Sequence, residues 1–266
     1  MGSLVKGIAP PDFFRYLWLP IGSEGTAMKK ELETYQGILI QSDTGLHQQI
    51  AALVTEVLPP GASILDWGCG QGALSQRLAD LGFRVQAVDL SAADFRASVP
   101  FENLDFNDGQ QLAAFLRKYE SSFDLILGVE VIEHLENPWQ YMRNLRHLVK
   151  PGGFLLLSTP NITSWVSRVN FFFRGRFHQF EDADRAYGHI APIAQDELTI
   201  ICEKLGLRIV KFQPGGRLPR FWPVKNPRRM IEHLFGFLGT FFMTGYWRGW
   251  CLIALIERPG EETPDD

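Results

Sequence analysis

Residues 64–72 read Ile64-Leu65-Asp66-Trp67-Gly68-Cys69-Gly70-Gln71-Gly72 and run directly into Ala73-Leu74-Ser75-Gln76-Arg77-Leu78-Ala79. A short apolar run ends on an acid, three alternating glycines follow, and an amphipathic stretch begins, which predicts a strand, a tight turn and a helix. Glycines in such a turn let the backbone bend sharply and let a ligand reach main-chain N–H groups with no Cβ in the way. The spacing Gly-x-Gly-x-Gly after an acid differs from the Gly-x-Gly-x-x-Gly of dinucleotide binders. A carboxylate at the turn suits an ammonium group and repels a pyrophosphate.

Outward from this turn the same alternation recurs. Ser63 to Asp66, Arg84 to Asp89, Phe123 to Gly128 and Phe154 to Ser158 predict buried strands. Stretches near 44–58, 72–81, 110–119, 138–149 and 195–205 carry apolar residues at three- and four-residue spacing and predict helices. Gly82, Pro151-Gly152-Gly153 and Gly206 punctuate their ends. Strands alternating with helices imply an α/β fold, a parallel sheet with helices on both faces. Two later strand candidates, Leu207 to Phe212 and Trp250 to Glu257, are separated by residues 214–249, far more than a hairpin loop of roughly 2–5 residues. Such an insertion reads as a lid or interfacial binding element. Residues 1–40, with Trp18 and Tyr35, read as an N-terminal cap, and the acidic, proline-bearing residues 259–266 as a disordered tail.

The 266 residues are 45% hydrophobic and 21% charged, enough for one large domain with its own core and no need of a metal or disulfide staple. Cys69, Cys202 and Cys251 are odd in number and far apart, which argues against a secreted disulfide framework and points to reduced thiols in the cytoplasm. Pro10, Pro11, Asp12, Arg15 and Pro20 interrupt the N-terminal apolar residues, so no signal peptide is read there. Lys and Arg number 26 against 30 Asp and Glu, a net charge of −4 that argues against nucleic acid as a partner.

The acids are ordered. Asp89 closes the second predicted strand, where a carboxylate can accept both hydroxyls of a ribose. Asn103-Leu104-Asp105-Phe106 then offers a carboxylate for an adenine amino group beside an apolar ring. Each acid alone also fits a helix cap or turn; their joint order favours a ligand.

On these residues the chain resembles the class I S-adenosylmethionine-dependent methyltransferases, in the subgroup of ubiquinone-biosynthesis O-methyltransferases and bacterial glycan or lipid methyltransferases. The resemblance covers roughly residues 44–213 and the last strand. It is carried by Leu65-Asp66-Trp67-Gly68-Cys69-Gly70-Gln71-Gly72, Val88-Asp89-Leu90-Ser91, Phe123-Asp124-Leu125-Ile126, Val129-Glu130-Val131-Ile132-Glu133-His134-Leu135 and Leu148-Val149-Lys150-Pro151-Gly152-Gly153. It implies a Rossmann-like seven-stranded sheet with the last strand antiparallel, and a methyltransferase domain over 41–258. It also implies S-adenosylmethionine over the strand ends: the Asp66 turn with Gly68, Cys69, Gly70 and Gly72 toward the methionine moiety, Asp89 toward the ribose, and Asp105 and Phe106 toward the adenine. Leu90 and Val129 fall among the implied cofactor contacts. Trp67 departs from the small aliphatic residue common at its position.

Glu130, Glu133 and His134 follow the fourth predicted strand as Glu-x-x-Glu-His, and Gly188-His189-Ile190 supplies another histidine. This pattern resembles small-RNA 3′-terminal 2′-O-methyltransferases, in which two glutamates and two histidines bind a magnesium ion that grips the substrate hydroxyls. A divalent ion would lower the pKa of a hydroxyl and fix it in line with the methyl, while two histidines leave manganese, iron or zinc open. A competing reading makes His134 or His189 a general base with Glu130 beside it, and a third has Glu133-His134 cap the helix near Pro138. Residues 159–190 are the expected substrate wall, where Phe171-Phe172-Phe173-Arg174-Gly175-Arg176-Phe177-His178 either meets an anionic or sugar-bearing substrate or packs its rings into the core with the arginines solvated.

Residues 217–229 are basic and precede the uncharged, aromatic run Leu234 to Trp247. That pattern suits an interfacial contact with a membrane or a hydrophobic lid, and equally core or dimer packing; the run is short of the ~20 residues a span needs. The leading expectation is methyl transfer to a hydroxyl oxygen of a small-molecule, glycan or lipid-linked acceptor. The alternatives are N- or C-methylation of a small metabolite and a non-catalytic methyltransferase-like binding subunit.

Overall fold

Apolar residues alternate between two cores across one sheet, and this alternation sets the architecture. The computed structural model describes residues 33–221 and 226–260. A small hairpin, β1 (Thr34–Tyr35) and β2 (Ile38–Leu39), precedes α1 (Leu46–Val57). Then follow β3 (Ser63–Trp67), α2 (Ala73–Asp80), β4 (Arg84–Asp89), β5 (Phe101–Asn103), α3 (Gly109–Lys118) and β6 (Phe123–Val129). A 3-10 turn (Ile132–His134) leads to α4 (Pro138–Leu148), β7 (Val149–Pro160), α5 (Trp165–Arg174), α6 (Asp182–Ala186), α7 (Gln195–Lys204), β8 (Arg208–Gly215), α8 (Pro227–Gly239) and β9 (Cys251–Glu257).

The seven-stranded sheet runs β5-β4-β3-β6-β7-β9-β8, parallel except for β9, which lies antiparallel between β7 and β8. Leu65, Ile126, Leu155 and Ile256 enter one core with α3, α4 and α7. Their strand neighbours Ile64, Leu125, Leu156 and Leu255 enter the other, with α1, α2 and α5. Central strands covered on both faces carry continuous apolar runs rather than alternating ones, which is why β6 and β7 read so clearly. The expected α/β Rossmann-like sheet with an antiparallel last strand is therefore the observed one.

Three details differ from expectation. β5 is a three-residue strand that the pattern did not reveal. Pro151-Gly152-Gly153 does not separate helix from strand: α4 ends at Leu148 and β7 already begins at Val149, pairing with Phe123 before a register shift. The cap of α4 is Asn137, whose side chain accepts from the Gln140 N–H, so Glu133 and His134 are free of that duty. Trp18 and residues 261–266 lie outside the described residues, as do most of the expected N-terminal cap and tail. Within 33–40 the hairpin sits on α2, with the Tyr35 hydroxyl donating to Asp80 at 2.8 Å and Arg77 over the Tyr35 ring. Among the described residues no helix is long and apolar enough to cross a membrane.

Candidate active site

The turn after β3 is built from glycines in the left-handed region, with φ of 80° at Gly68 and 87° at Gly72. Their neighbours also leave no room: a Cβ on Gly68 would lie 2.6 Å from Val131 Cγ2, and one on Gly72 2.6 Å from the Phe95 ring. Both the conformation and the close approach demand glycine. The turn is pinned to β4, since the Gly68 and Cys69 N–H groups donate to the Val88 carbonyl at 2.9 and 3.2 Å. Asp89 accepts from the Gly70 N–H at 2.8 Å and the Ser91 N–H at 3.2 Å. A carboxylate offers about four acceptor positions, so Asp89 braces the turn and keeps acceptor capacity for hydroxyls.

Asp66 is 2% exposed, and the Ser75 hydroxyl donates to it at 2.5 Å. Burial lifts its carboxyl to about 6, against the Ser75 hydrogen bond and helped by the charge of Asp89. Burial, with Asp66 and Asp89 behind it, also pushes the Cys69 thiol up, so this cysteine stays protonated. Leu90 is exposed beside Asp89. Asp105 accepts from the Asn107 N–H at 2.9 Å, closing a local turn, and the Phe106 ring stacks on Trp67 at 4.9 Å. The unusual Trp67 is thus a buried platform for Phe106.

Beyond β6 the chain kinks at Glu130, a non-glycine residue at φ 56°, a backbone strain typical of functional positions. The Glu130 N–H donates to the Ser158 carbonyl and hydroxyl oxygens, each at 3.1 Å, and the Ser158 hydroxyl donates to Glu130 Oε1 at 2.7 Å. Burial raises the Glu130 carboxyl to about 7; hydrogen bonds from Ser158 and Cys251 oppose the rise and the charge of Asp43 adds to it.

Glu133 is fully buried, and neither carboxylate oxygen has a hydrogen-bond partner. Burial, and next the charge of Glu130, push its carboxyl well above the usual range. The segment carrying His189 is tied to this turn, because the Ile190 and Ala191 N–H groups donate to the Glu133 carbonyl at 2.9 and 3.0 Å. The His134 and His189 rings meet edge to face at 4.8 Å, and His189 Nδ1 lies 2.7 Å from the Gln179 carbonyl oxygen. Burial and then His189 lower His134 to about 4, against hydrogen bonds to the Gly188 and Tyr187 backbone. Ligand atoms of Glu133, His134 and His189 all lie within 4.8 Å of one another. Three members of the expected four-residue set come together, while the Glu130 carboxyl is engaged by Ser158 and Cys251 instead.

In the expected substrate wall, the Phe171, Phe172 and Phe173 rings do not enter the core; all three are exposed. Nor are the arginines merely solvated: Arg174 pairs with the buried Glu232, and Arg176 with Asp182 at 2.8 Å. Sequence reasoning gave no role to Gln41, whose Oε1 accepts from the Gln71 N–H at 3.2 Å, nor to Ser75 and Ser158, nor to Cys251 beyond its thiol. These partners lie far from the acids they serve in sequence or carry common residue types, and only the fold brings them in.

A methyltransferase domain family matches residues 42–211, and the chain belongs to that family, with the class I S-adenosylmethionine-dependent fold that the sheet order and glycine turn define. It is similar to the ubiquinone biosynthesis O-methyltransferase of Caulobacter vibrioides, 36% identical over 107 residues, which is 39% of this chain and 42% of that protein. The protein of the same name from Xanthomonas campestris pv. campestris (strain B100) is 35% identical over 116 residues, 42% of this chain and 48% of that one. The chain thus matches under half the length of these curated relatives. A S-adenosylmethionine-dependent methyltransferase from Archaeoglobus fulgidus shares the fold with a TM-score of 0.55 at 16% identity, covering 79% of this chain and 94% of that one.

Proposed function

We propose that the protein transfers the methyl group of S-adenosylmethionine to a hydroxyl oxygen of a small-molecule, glycan or lipid-linked acceptor. The observation that carries this reading is a juxtaposition: the glycine turn braced by Asp89 at the ends of β3 and β4 stands beside a cluster beyond β6 in which the buried Glu133 meets the half-buried His189 and the exposed His134. Asp89 and the exposed Leu90 suit the ribose, the turn residues Gly68 to Gly72 with Asp66 suit the methionine moiety, and Asp105 and Phe106 suit the adenine, with Val129 a further candidate contact. Bound there, S-adenosylmethionine supplies an electrophilic methyl group on its sulfonium.

The protein's own task is to position the acceptor oxygen and take its proton. The His189 ring is oriented by a backbone partner. With Nδ1 facing the Gln179 carbonyl, that nitrogen carries the proton and Nε2 keeps its lone pair. His134, lowered to about 4, stays neutral at working pH and is a weak proton acceptor. The names of the curated relatives support oxygen as the methylated atom over nitrogen or carbon. The intact turn, Asp89 and the buried acids speak for catalysis over a binding-only role.

A second reading is favoured by the Glu133 carboxylate, buried with no partner on either oxygen. Glu133, His134 and His189 would hold a divalent ion, which would supply Lewis acidity toward the acceptor hydroxyl. Two imidazole nitrogens suit manganese, iron or zinc better than magnesium.

His189→Gln separates these readings from the fold. Turnover on a panel of hydroxylated aromatic, glycan and polyprenylated acceptors should fall about 10²–10⁴-fold, with affinity for S-adenosylhomocysteine unchanged. Wild-type turnover that survives exhaustive chelation selects the base reading, and turnover lost to chelation and restored by manganese selects the ion. Undiminished turnover in His189→Gln contradicts both.

A further inference from the structure

α5 and α8 pack closely where Gly236 meets α5: a Cβ there would lie 2.7 Å from Val169 Cγ2 and 2.8 Å from the Trp165 ring. The inner face is thus ordinary packing, sealed by the Trp165 Nε1–H donating to the Pro219 carbonyl at 2.9 Å and by the buried Glu232 holding Arg174. The outer face is the opposite. Phe172 is 71% exposed and Ile231 68%, Leu234, Phe235 and Leu238 are exposed as well, and Phe242, just past the end of α8, is 88% exposed. Phe235 stacks on Phe172 at 5.8 Å, joining the two helices into one apolar ridge. An exposed apolar patch of this kind on a folded domain marks a contact surface.

Charge identifies the partner. Residues 165–176 and 217–248 hold nine Lys and Arg and a single acid, Glu232, whereas the chain as a whole has 26 basic against 30 acidic residues; Arg174 and Arg228 pair with Glu232 and Arg176 with Asp182, so the segments keep a basic excess after these pairs. Arg217 and Arg248 line an open cavity of about 500 Å³ with Gln49, Leu218 and Pro219, and the Arg217 N–H donates to Asp43 Oδ2 at 3.1 Å. Arg220 lies over the Phe241 ring at 4.5 Å and near the Trp247 ring at 5.7 Å, an arrangement of cation and aromatic faces suited to the headgroup layer. A second copy of the same face would oppose like charges, and no described helix could span a bilayer.

We propose that the α5–α8 ridge docks this protein on the surface of an anionic phospholipid bilayer, its phenylalanines entering the acyl boundary and its arginines meeting the headgroup phosphates. The proposal goes beyond the methyl-transfer reading and does not depend on the acceptor.

The test is co-sedimentation of the full chain with vesicles of phosphatidylcholine alone or mixed with phosphatidylglycerol, over a range of salt. Wild type should partition about tenfold more strongly onto the anionic vesicles, and less as salt rises. Ile231→Ser/Phe242→Ser should lose about tenfold of that binding, as should Arg217→Glu/Arg248→Glu, with melting temperature and S-adenosylhomocysteine affinity unchanged. Equal partition onto neutral and anionic vesicles, or variants that bind as wild type, would overturn the proposal. So would concentration-dependent self-association, seen without lipid and abolished by the same substitutions. S-adenosylhomocysteine affinity read in the same samples keeps a failure of docking distinct from a failure of the methyltransferase reading.

Discussion

Asp66 shows at a single residue what the site demands of the fold. Its carboxyl, ordinarily near 3.8, is lifted to about 6 chiefly by burial. The folded state therefore holds this proton more tightly than the unfolded chain does. Sign follows from that: the group's contribution is most favourable below pH 3.8, declines as pH rises between 3.8 and 6, and stays at its full penalty above. About two pH units correspond to ~3 kcal/mol at neutral pH. Asp66→Asn keeps the shape and a partner for Ser75, so it should stabilise the protein at pH 7 by ~1–3 kcal/mol and flatten the denaturation profile between pH 4 and 6, while weakening S-adenosylmethionine binding. Urea titrations across that range check it. A variant less stable than wild type at pH 7 would show that Asp66 is held in place by interactions stronger than its burial cost.

At the scale of elements, the turn between β3 and α2 makes the sharpest prediction. Gly68→Ala must both adopt φ near 80° and push Val131 aside from 2.6 Å. The combined cost is ~1–3 kcal/mol, which lowers the melting temperature by roughly 3–10 °C for a domain of this size. Val131→Ala in the same chain should return the steric part and leave the backbone part. This turn was legible in sequence because glycine spacing is a local property, and β4 was legible because the β-branched and small apolar residues Val85, Ala87 and Val88 are buried in the run up to Asp89. β5 was not, since three half-buried residues carry no period. The start of β7 was masked by Pro151-Gly152-Gly153, which reads as a break although the strand's pairing resumes after a register shift.

The whole molecule sets what no local pattern could carry. The acids of the site are named by the sequence, but their partners are not: Ser158 reaches Glu130 across the β6–β7 pairing, and Cys251 comes in at the start of the antiparallel β9, which pairs with β7. The cluster of Glu133, His134 and His189 was anticipated as a set, whereas the diversion of Glu130 to Ser158 and Cys251 became visible only once the sheet was assembled. In the 214–249 insertion α8 packs inward through Gly236 and Glu232, while Ile231 stands exposed on it and Phe242 just past its end.

All of these features converge on one central claim, that the turn braced by Asp89 is where S-adenosylmethionine binds. Calorimetric titration with S-adenosylhomocysteine, on wild type and on Asp89→Ala, tests it directly. The account predicts one-to-one binding to wild type and a loss of ~1–3 kcal/mol in a variant that remains folded, the cost of removing charge-assisted hydrogen bonds to ribose hydroxyls and to the Gly70 N–H. No binding to wild type, or undiminished affinity in folded Asp89→Ala, would contradict it.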